Sequence, residues 1–248
     1  MNARPLILLL FMLPLTVAAQ LATEHPDARS AAMGGCRIMD TGSTVNVDVG
    51  WRQGFMLKGM ATRDIAFAAP LGGHGRAGLH YSGFGDADYN EQQATAGYSI
   101  AVAPWINIMV YGIYSRIGTL DAHYEAQTWL DAGGGVSLGD NRVCGYIAAG
   151  SSRWSNRSIW RLHTGINYRP NRQILTAISI SRDERLRLHS GIEYTYNGHL
   201  FARAGLCTNP MVLTFGVGYR QQHYHIDIAT EAHSTLGLSP MITIGLCL

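Results

Sequence analysis

The stretch Trp160-Arg-Leu-His-Thr-Gly-Ile-Asn-Tyr168-Arg169 decides the fold class, because apolar and polar residues alternate along it with a period of two. Such a pattern places one face of a strand in apolar surroundings and the other face in a polar space. The segments 186–196, 211–220 and 224–228 repeat it. Helical spacing fits none of them, so the sequence predicts an all-β chain.

Turn signals separate these segments at regular intervals and leave strands of roughly ten residues. The sharpest are Pro170-Asn171, Asp183-Glu184, Asn197-Gly198, Asn209-Pro210 and Gln221-Gln222. Extending the pattern to the whole chain predicts a meander of fourteen strands, with twelve as the alternative count. The predicted strands are 44–56, 62–69, 76–83, 92–102, 106–116, 127–139, 142–151, 159–169, 173–182, 185–196, 199–207, 211–220, 222–230 and 241–248.

The breaks between predicted strands alternate in length. Short ones occur at Gly72-Gly73, Ala103-Pro104 and 139–141, whereas 84–90, 118–126, 151–158 and 231–240 are longer. Short turns at one end and longer loops at the other are typical of bacterial outer-membrane barrels, as is an even number of strands. The sequence therefore predicts a transmembrane, antiparallel, up-and-down β-barrel.

The composition agrees with a barrel that is apolar outside and polar inside. The 248 residues are 47% hydrophobic and 15% charged, with a mean hydropathy of +0.02, which is the average expected of two such faces. Only Lys58 among the 19 basic residues is a lysine, and arginine suits a crowded lumen because its planar fork pairs with carboxylates. A net charge of +2, without a basic run, excludes a nucleic-acid partner. Outer-membrane lipid is the expected surrounding, with an interfacial aromatic girdle drawn from Trp105, Trp129, Trp160, Tyr194, Tyr196 and Tyr219.

The N-terminus has the pattern of a secretory signal. Arg4 precedes the apolar stretch 5–17, and Val17-Ala18-Ala19 fits a small-residue cleavage site. The expected organisation is a signal peptide over 1–19, an N-terminal segment over 20–43 that is periplasmic or a partial plug, and a barrel over 44–248. The four cysteines, Cys36, Cys144, Cys207 and Cys247, are too widely spaced for a disulfide framework and are interpreted as small apolar residues.

A polar network is expected to line the lumen. Its predicted members are Arg161, His163, Arg169, Arg185, Arg187, His189, Glu193, Arg203, His223, His225 and Asp227. The triplet His223-x-His225-x-Asp227 has the residue types of a transition-metal site, but i, i+2 spacing also follows from polar-in alternation, so no metal or cofactor is expected. His189, Ser190 and Glu193 have the residue types of a hydrolase. Because His189 and Ser190 should face opposite sides of their strand, we expect no enzyme.

The segment Pro26-Asp27-Ala28-Arg29-Ser30-Ala31-Ala32-Met33-Gly34-Gly35 resembles the opening of the PorV/PorQ family of outer-membrane barrels, relatives of the FadL transporters. The region 55–98 is similar to that family as well, with a Leu-Lys-Gly strand, a Pro-Leu turn and Tyr89-Asn90-Glu91 before the next strand. The members belong to Bacteroidetes, have fourteen strands and include components of the type IX secretion system.

This resemblance implies a non-enzymatic barrel in the outer membrane that acts as a scaffold or binds other envelope or secretion-system proteins. The alternative is a FadL-like channel for small or hydrophobic solutes. A membrane-embedded, lipid-modifying enzyme is a third possibility, less favoured by the residues.

Overall fold

The computed structural model describes residues 27–38, 44–119, 125–154 and 157–248, and it shows a closed antiparallel barrel of fourteen strands. The predicted fold class and the count of fourteen are confirmed. The predicted signal peptide and residues 20–26 and 39–43 lie outside the described residues. No helix in the described ranges is long and apolar enough to cross a membrane.

Each strand pairs with its neighbours in the sequence, and β1 closes the barrel against β14. One short helix, α1 (Ala28–Ala32), precedes the barrel, and one 3₁₀ turn (Gly54–Met56) follows the first strand. The strands are β1 (Asn46–Gln53), β2 (Ala61–Leu71), β3 (Gly75–Gly85), β4 (Tyr89–Ala103), β5 (Ile106–Thr119), β6 (Gln127–Gly139), β7 (Val143–Trp154), β8 (Arg157–Tyr168), β9 (Ile174–Arg182), β10 (Leu186–Tyr196), β11 (Leu200–Cys207), β12 (Val212–Arg220), β13 (Tyr224–His233) and β14 (Gly237–Cys247).

The connections differ less in length than the sequence predicts. The breaks expected over 84–90 and 231–240 shrink to the three residues 86–88 and 234–236, because the strands on either side stay paired further out. The seven-residue connection 54–60 lies at the end opposite the start of β1 and the end of β14, as do the end of β5 and the start of β6. We call that end the loop end and the other the turn end.

Local chemistry closes the turns. In the connection between β6 and β7, the Asp140 carboxylate accepts hydrogen bonds from the backbone N–H groups of Arg142 and Val143, at 2.8 and 2.9 Å. These two bonds favour the charged form, so they hold the pKa of Asp140 below its ordinary value. This side-chain turn satisfies backbone donors that the strands leave unpaired.

Exposed aromatic side chains form two belts on the outer wall. Near the loop end are Trp51, Tyr81, Tyr114 and Trp160, and near the turn end are Trp105, Tyr168, Tyr194, Tyr196, Tyr219 and Tyr224. Trp105, which immediately precedes β5, and Tyr114 within it are nine residues apart, or about 23 Å of height at a strand tilt of about 40°. That height matches the apolar band of outer-membrane barrels, roughly 25 Å. The predicted girdle residue Trp129 is half-buried and alternates with exposed Leu130, so it faces the lumen.

Candidate functional site: the lumen and its plug

The N-terminal segment 27–38 lies inside the barrel, and we call it the plug. Asp27 caps α1, since the backbone N–H of Ser30 donates to its carboxylate at 2.6 Å. Three alanines of this segment, Ala28, Ala31 and Ala32, are fully buried and pack with Ala229 and Met241 of the wall. Small side chains on both sides let the helix approach the strands closely.

A buried chain of ion pairs joins the plug to the wall. Arg29 donates from Nε and Nη2 to the two oxygens of Glu193, both at 2.8 Å. Arg203 donates to the same carboxylate at 2.7 Å and to Asp227 at 2.5 Å. Two guanidinium groups thus face two carboxylates, so the cluster is neutral within itself. Such pairing compensates the cost of removing these charges from water.

Wall hydroxyl and amide groups satisfy the backbone of the plug. Thr243 Oγ1 accepts from the N–H of Ala28 at 3.0 Å. Thr214 Oγ1 accepts from the N–H of Gly34 and donates to the carbonyl of Ala32, both at 2.9 Å. Further along, the Asn167 amide donates to the Arg37 carbonyl at 3.1 Å. These bonds supply the partners that a short helix leaves open at its ends.

Three glycines in the wall let the plug backbone approach closely. A Cβ on Gly191 would lie 2.5 Å from the Met33 carbonyl oxygen and 2.6 Å from its Cβ, and a Cβ on Gly216 would lie 2.5 Å from that of Ala32. The same close approach occurs where Gly205 meets Met33 and Gly34. Glycines of β10, β11 and β12 therefore form a groove that fits the plug backbone.

His189 contacts the plug on one side and the wall on the other. Its Nδ1 lies 2.7 Å from the Gly34 carbonyl oxygen, and its Nε2 lies 2.8 Å from Ser181 Oγ. The Nδ1 contact is to a carbonyl oxygen, which accepts, so Nδ1 carries a proton and donates to Gly34. His163 packs edge-on against His189, with ring centroids 6.0 Å apart.

Beside this polar region is an apolar one. Met33 and Cys36 of the plug are fully buried and pack with Leu175 and Ala177 of β9, with Ile38 at the edge. Burial raises the pKa of the Cys36 thiol to about 11. All four cysteines are free thiols. The plug thus covers an apolar patch of the lumen wall.

The structure brings together four of the predicted lumen residues at the plug: His189, Glu193, Arg203 and Asp227. Four others also face the lumen: His163 packs against His189 at the plug, and Arg161, Arg187 and His225 lie elsewhere. Arg187 pairs with Asp183 at 3.2 Å, and His225 Nε2 lies 3.1 Å from Asp48 Oδ1.

The three remaining predicted residues are not part of the network. Arg169, Arg185 and His223 are exposed and lie in the connections just beyond strand ends, where alternation no longer assigns a face. Arg29, Thr214 and Thr243 complete the site and were not among the predicted network residues, although alternation along β12 had placed Thr214 on the polar face. The capping signal at Asp27 was the one local indication that a helix begins there.

The two other chemistries that the sequence suggested, a metal site and a hydrolase, were not expected, and their residues are placed as follows. Within the described ranges, no group of three His, Cys, Asp or Glu side chains could hold a metal ion, and His223 is separated from the inward-facing His225 and Asp227. His189 is buried while its Nδ1 meets a backbone carbonyl, so the third member of a hydrolase triad, an orienting carboxylate, does not occupy that position.

Solved outer-membrane channels share this fold. The CymD monoaromatic hydrocarbon channel matches with a TM-score of 0.61 and 10% identity over 88% of this chain and 95% of that one. The toluene transporter TodX of Pseudomonas putida matches with a TM-score of 0.57 and 12% identity over 94% of this chain and 98% of that one. A mutant of the Rh. blastica porin reaches 0.50 at 7% identity, covering 83% and 99%.

The chain therefore shares the barrel fold of these solved channels. No protein-family pattern and no curated protein sequence matches it. These comparisons support the FadL-like part of the expected resemblance and do not point to the PorV/PorQ family specifically.

Proposed function

We propose that this protein is an outer-membrane channel for small hydrophobic solutes, with the plug as its selectivity element. This is the alternative that the sequence left open, and it fits better than the secretion role. The observation that carries it is the apolar patch under the plug, where Met33 and Cys36 cover Leu175 and Ala177 inside the barrel.

The chemistry of the plug suits a reversible contact. Its buried faces are small or apolar, and its one buried charge, Arg29, is fully paired with Glu193. A hydrophobic solute can replace the apolar contacts of Met33 without leaving a polar group unpaired. A hydrophilic solute would instead have to lose water against Leu175 and Ala177, which is unfavourable.

The similarity to the CymD and TodX channels is the second support, since both carry monoaromatic hydrocarbons by their names. No enzyme is among these similar structures, in agreement with a non-enzymatic role. Location in the outer membrane is part of the proposal and is supported by the two aromatic belts and by the barrel itself. Export by the signal pattern over residues 1–19 belongs to the same proposal and rests on the sequence.

Uptake by intact cells tests the proposal. A Gram-negative host that makes the protein should take up labelled toluene several-fold faster than the same host with an empty vector, while uptake of a labelled sugar should stay unchanged. Deletion of residues 27–38 should raise sugar uptake, because the deletion removes the selectivity element. A folded barrel whose toluene uptake equals that of the empty vector would contradict the channel.

The secretion role implied by the PorV/PorQ resemblance makes a different prediction. A partner-binding barrel should be recovered with other envelope proteins after cross-linking in its native cell and mild detergent extraction. Recovery of the barrel alone, together with toluene uptake, favours the channel over the scaffold.

A further inference from the structure

The outer wall over β2–β6 carries an apolar groove. Bulky exposed side chains stand on β2 and β3 and again on β5 and β6, among them Phe67, Leu79, Tyr114 and Leu130. Between them the register places only small residues outward: Ala94 and Ala96 on β4, and Gly112 on β5. The resulting groove has a volume of about 620 Å³. That is within the range of roughly 300–1,000 Å³ typical of small-ligand sites.

Two arginines stand directly above the groove on the side of the loop end. Arg63, Gly83, Gln92, Arg116 and Thr128 form one continuous row of paired residues across β2–β6. Arg63 and Arg116 are exposed and alternate with outward-facing Ile65 and Tyr114, so both point away from the lumen. Neither forms an ion pair with another described residue.

The height of this row is that of lipid headgroups. In the strand register Arg63 lies opposite Trp51, a member of the aromatic belt at the loop end. The row is two residues closer to the loop end than Tyr81 and Tyr114 of the same belt. The phenol of Tyr81 points toward the row, since its hydroxyl lies 3.8 Å from where a Cβ on Gly83 would be. Aromatic belts mark the boundary between acyl chains and headgroups.

Charge and shape together select the occupant. The groove runs from the belt residues Tyr81 and Tyr114 toward the middle of the outer wall and is apolar, so it suits an acyl chain. The two arginines are three strand intervals apart, or about 14 Å at roughly 4.8 Å per interval. This distance is too long for one phosphate to bridge and suits a headgroup that carries two phosphates. Guanidinium groups bind phosphates by charge-assisted hydrogen bonds.

We propose that the outer wall of β2–β6 binds a phosphorylated, multiply acylated glycolipid of the outer leaflet. One acyl chain lies in the groove over Ala96 and Gly112, and the headgroup phosphates pair with Arg63 and Arg116. The inference rests on the membrane placement proposed above, but it does not depend on what crosses the lumen.

The test is a binding titration of the detergent-folded full chain with diphosphoryl lipid A, followed by native mass spectrometry. We expect the wild-type protein to retain the lipid, and the same lipid without phosphates to bind about tenfold more weakly or worse. Arg63→Gln with Arg116→Gln should weaken binding of the diphosphoryl form by about tenfold or more. Ala96→Leu, which fills the groove, should weaken both lipids.

Two matched variants control for general surface effects. Arg182→Gln removes another exposed arginine near the loop end, on β9, and Ala202→Leu enlarges an exposed alanine on β11. Both should bind like the wild-type protein. The proposal is overturned if the double arginine variant binds like the wild type, if phosphate removal has no effect, or if the control variants lose as much affinity. Toluene uptake is measured separately, so failure of this site and failure of the channel are distinguishable.

Discussion

Glu193 is the central acceptor of the buried ion-pair cluster, because both Arg29 and Arg203 donate hydrogen bonds to its carboxylate. Its side chain is 3% exposed, and that of Arg203 is 1% exposed. Glu193→Gln would leave two guanidinium groups with one carboxylate, that of Asp227. Loss of one partner in a buried ion pair costs about 3–5 kcal/mol, and we expect the free energy of unfolding to fall by that amount.

Urea unfolding of the refolded barrel, followed by tryptophan fluorescence, measures this change. The matched control is Asp183→Asn, which removes the carboxylate of the exposed pair with Arg187, where both side chains are 34% exposed. Solvent screens that pair, so the control should lose less than about 1 kcal/mol. Equal losses in the two variants would mean that the buried cluster contributes no more than a surface pair.

The polar cluster also shows how much of the site the alternation of residues can predict. Alternation along β10, β11 and β13 was enough to place Glu193, Arg203 and Asp227 toward the lumen. It could not indicate Arg29, which is 164 positions away from Glu193 and lies on a separate segment. A pattern of period two assigns a face to a residue, whereas a contact between distant segments depends on closure of the whole barrel.

At the scale of elements, the plug is held by close fit as well as by charge, so a single methyl group should displace it. Gly191→Ala would force a Cβ into the space of Met33, and overpacking of this kind costs about 1–3 kcal/mol. The wall can keep its strands while the plug leaves. We therefore expect Cys36, which the plug carries, to become accessible.

Alkylation of Cys36 reports this change when Cys144, Cys207 and Cys247 are replaced by serine. At pH 8 the wild-type thiol is buried and protonated, because its pKa is about 11, so labelling should be slow. In Gly191→Ala labelling should be about tenfold faster. An overpacking cost of about 1.4 kcal/mol corresponds to a tenfold larger population of the state in which the plug has left the wall. Gly78→Ala is the control, because its Cβ would meet only the Phe67 carbonyl oxygen at 3.7 Å. Equal labelling in both variants would contradict a plug held by close fit.

Element boundaries were the weaker part of the sequence prediction. The strands β4, β13 and β14 extend past their predicted ends at the loop end, since residues such as Tyr89 and His233 remain paired there. Polar residues near a strand end resemble a loop in sequence, but backbone pairing continues wherever the neighbouring strand is also extended. The lipid-facing groove on β4 and β5 had no sequence signal, because it depends on register across five strands.

For the whole molecule, closure into a barrel places its connections at two opposite ends, and surface labelling can test which end faces outward. In the proposed outer-membrane location the loop end faces outward, so Leu57, 53% exposed in the connection 54–60, is accessible from outside the cell. Gly73 lies in the turn between β2 and β3, at the opposite end, with nothing within 4 Å of its Cβ position.

Leu57→Cys and Gly73→Cys, each in a background with the four native cysteines replaced by serine, form a matched pair. A membrane-impermeant maleimide should label Leu57→Cys on intact cells and Gly73→Cys only after the outer membrane is permeabilised. The physical reason is that the apolar band between the two aromatic belts keeps the barrel embedded, and the two positions lie beyond opposite edges of that band. The reverse pattern would invert the orientation and place Arg63 and Arg116 at the periplasmic leaflet, whereas equal labelling of both positions on intact cells would contradict a membrane-spanning barrel.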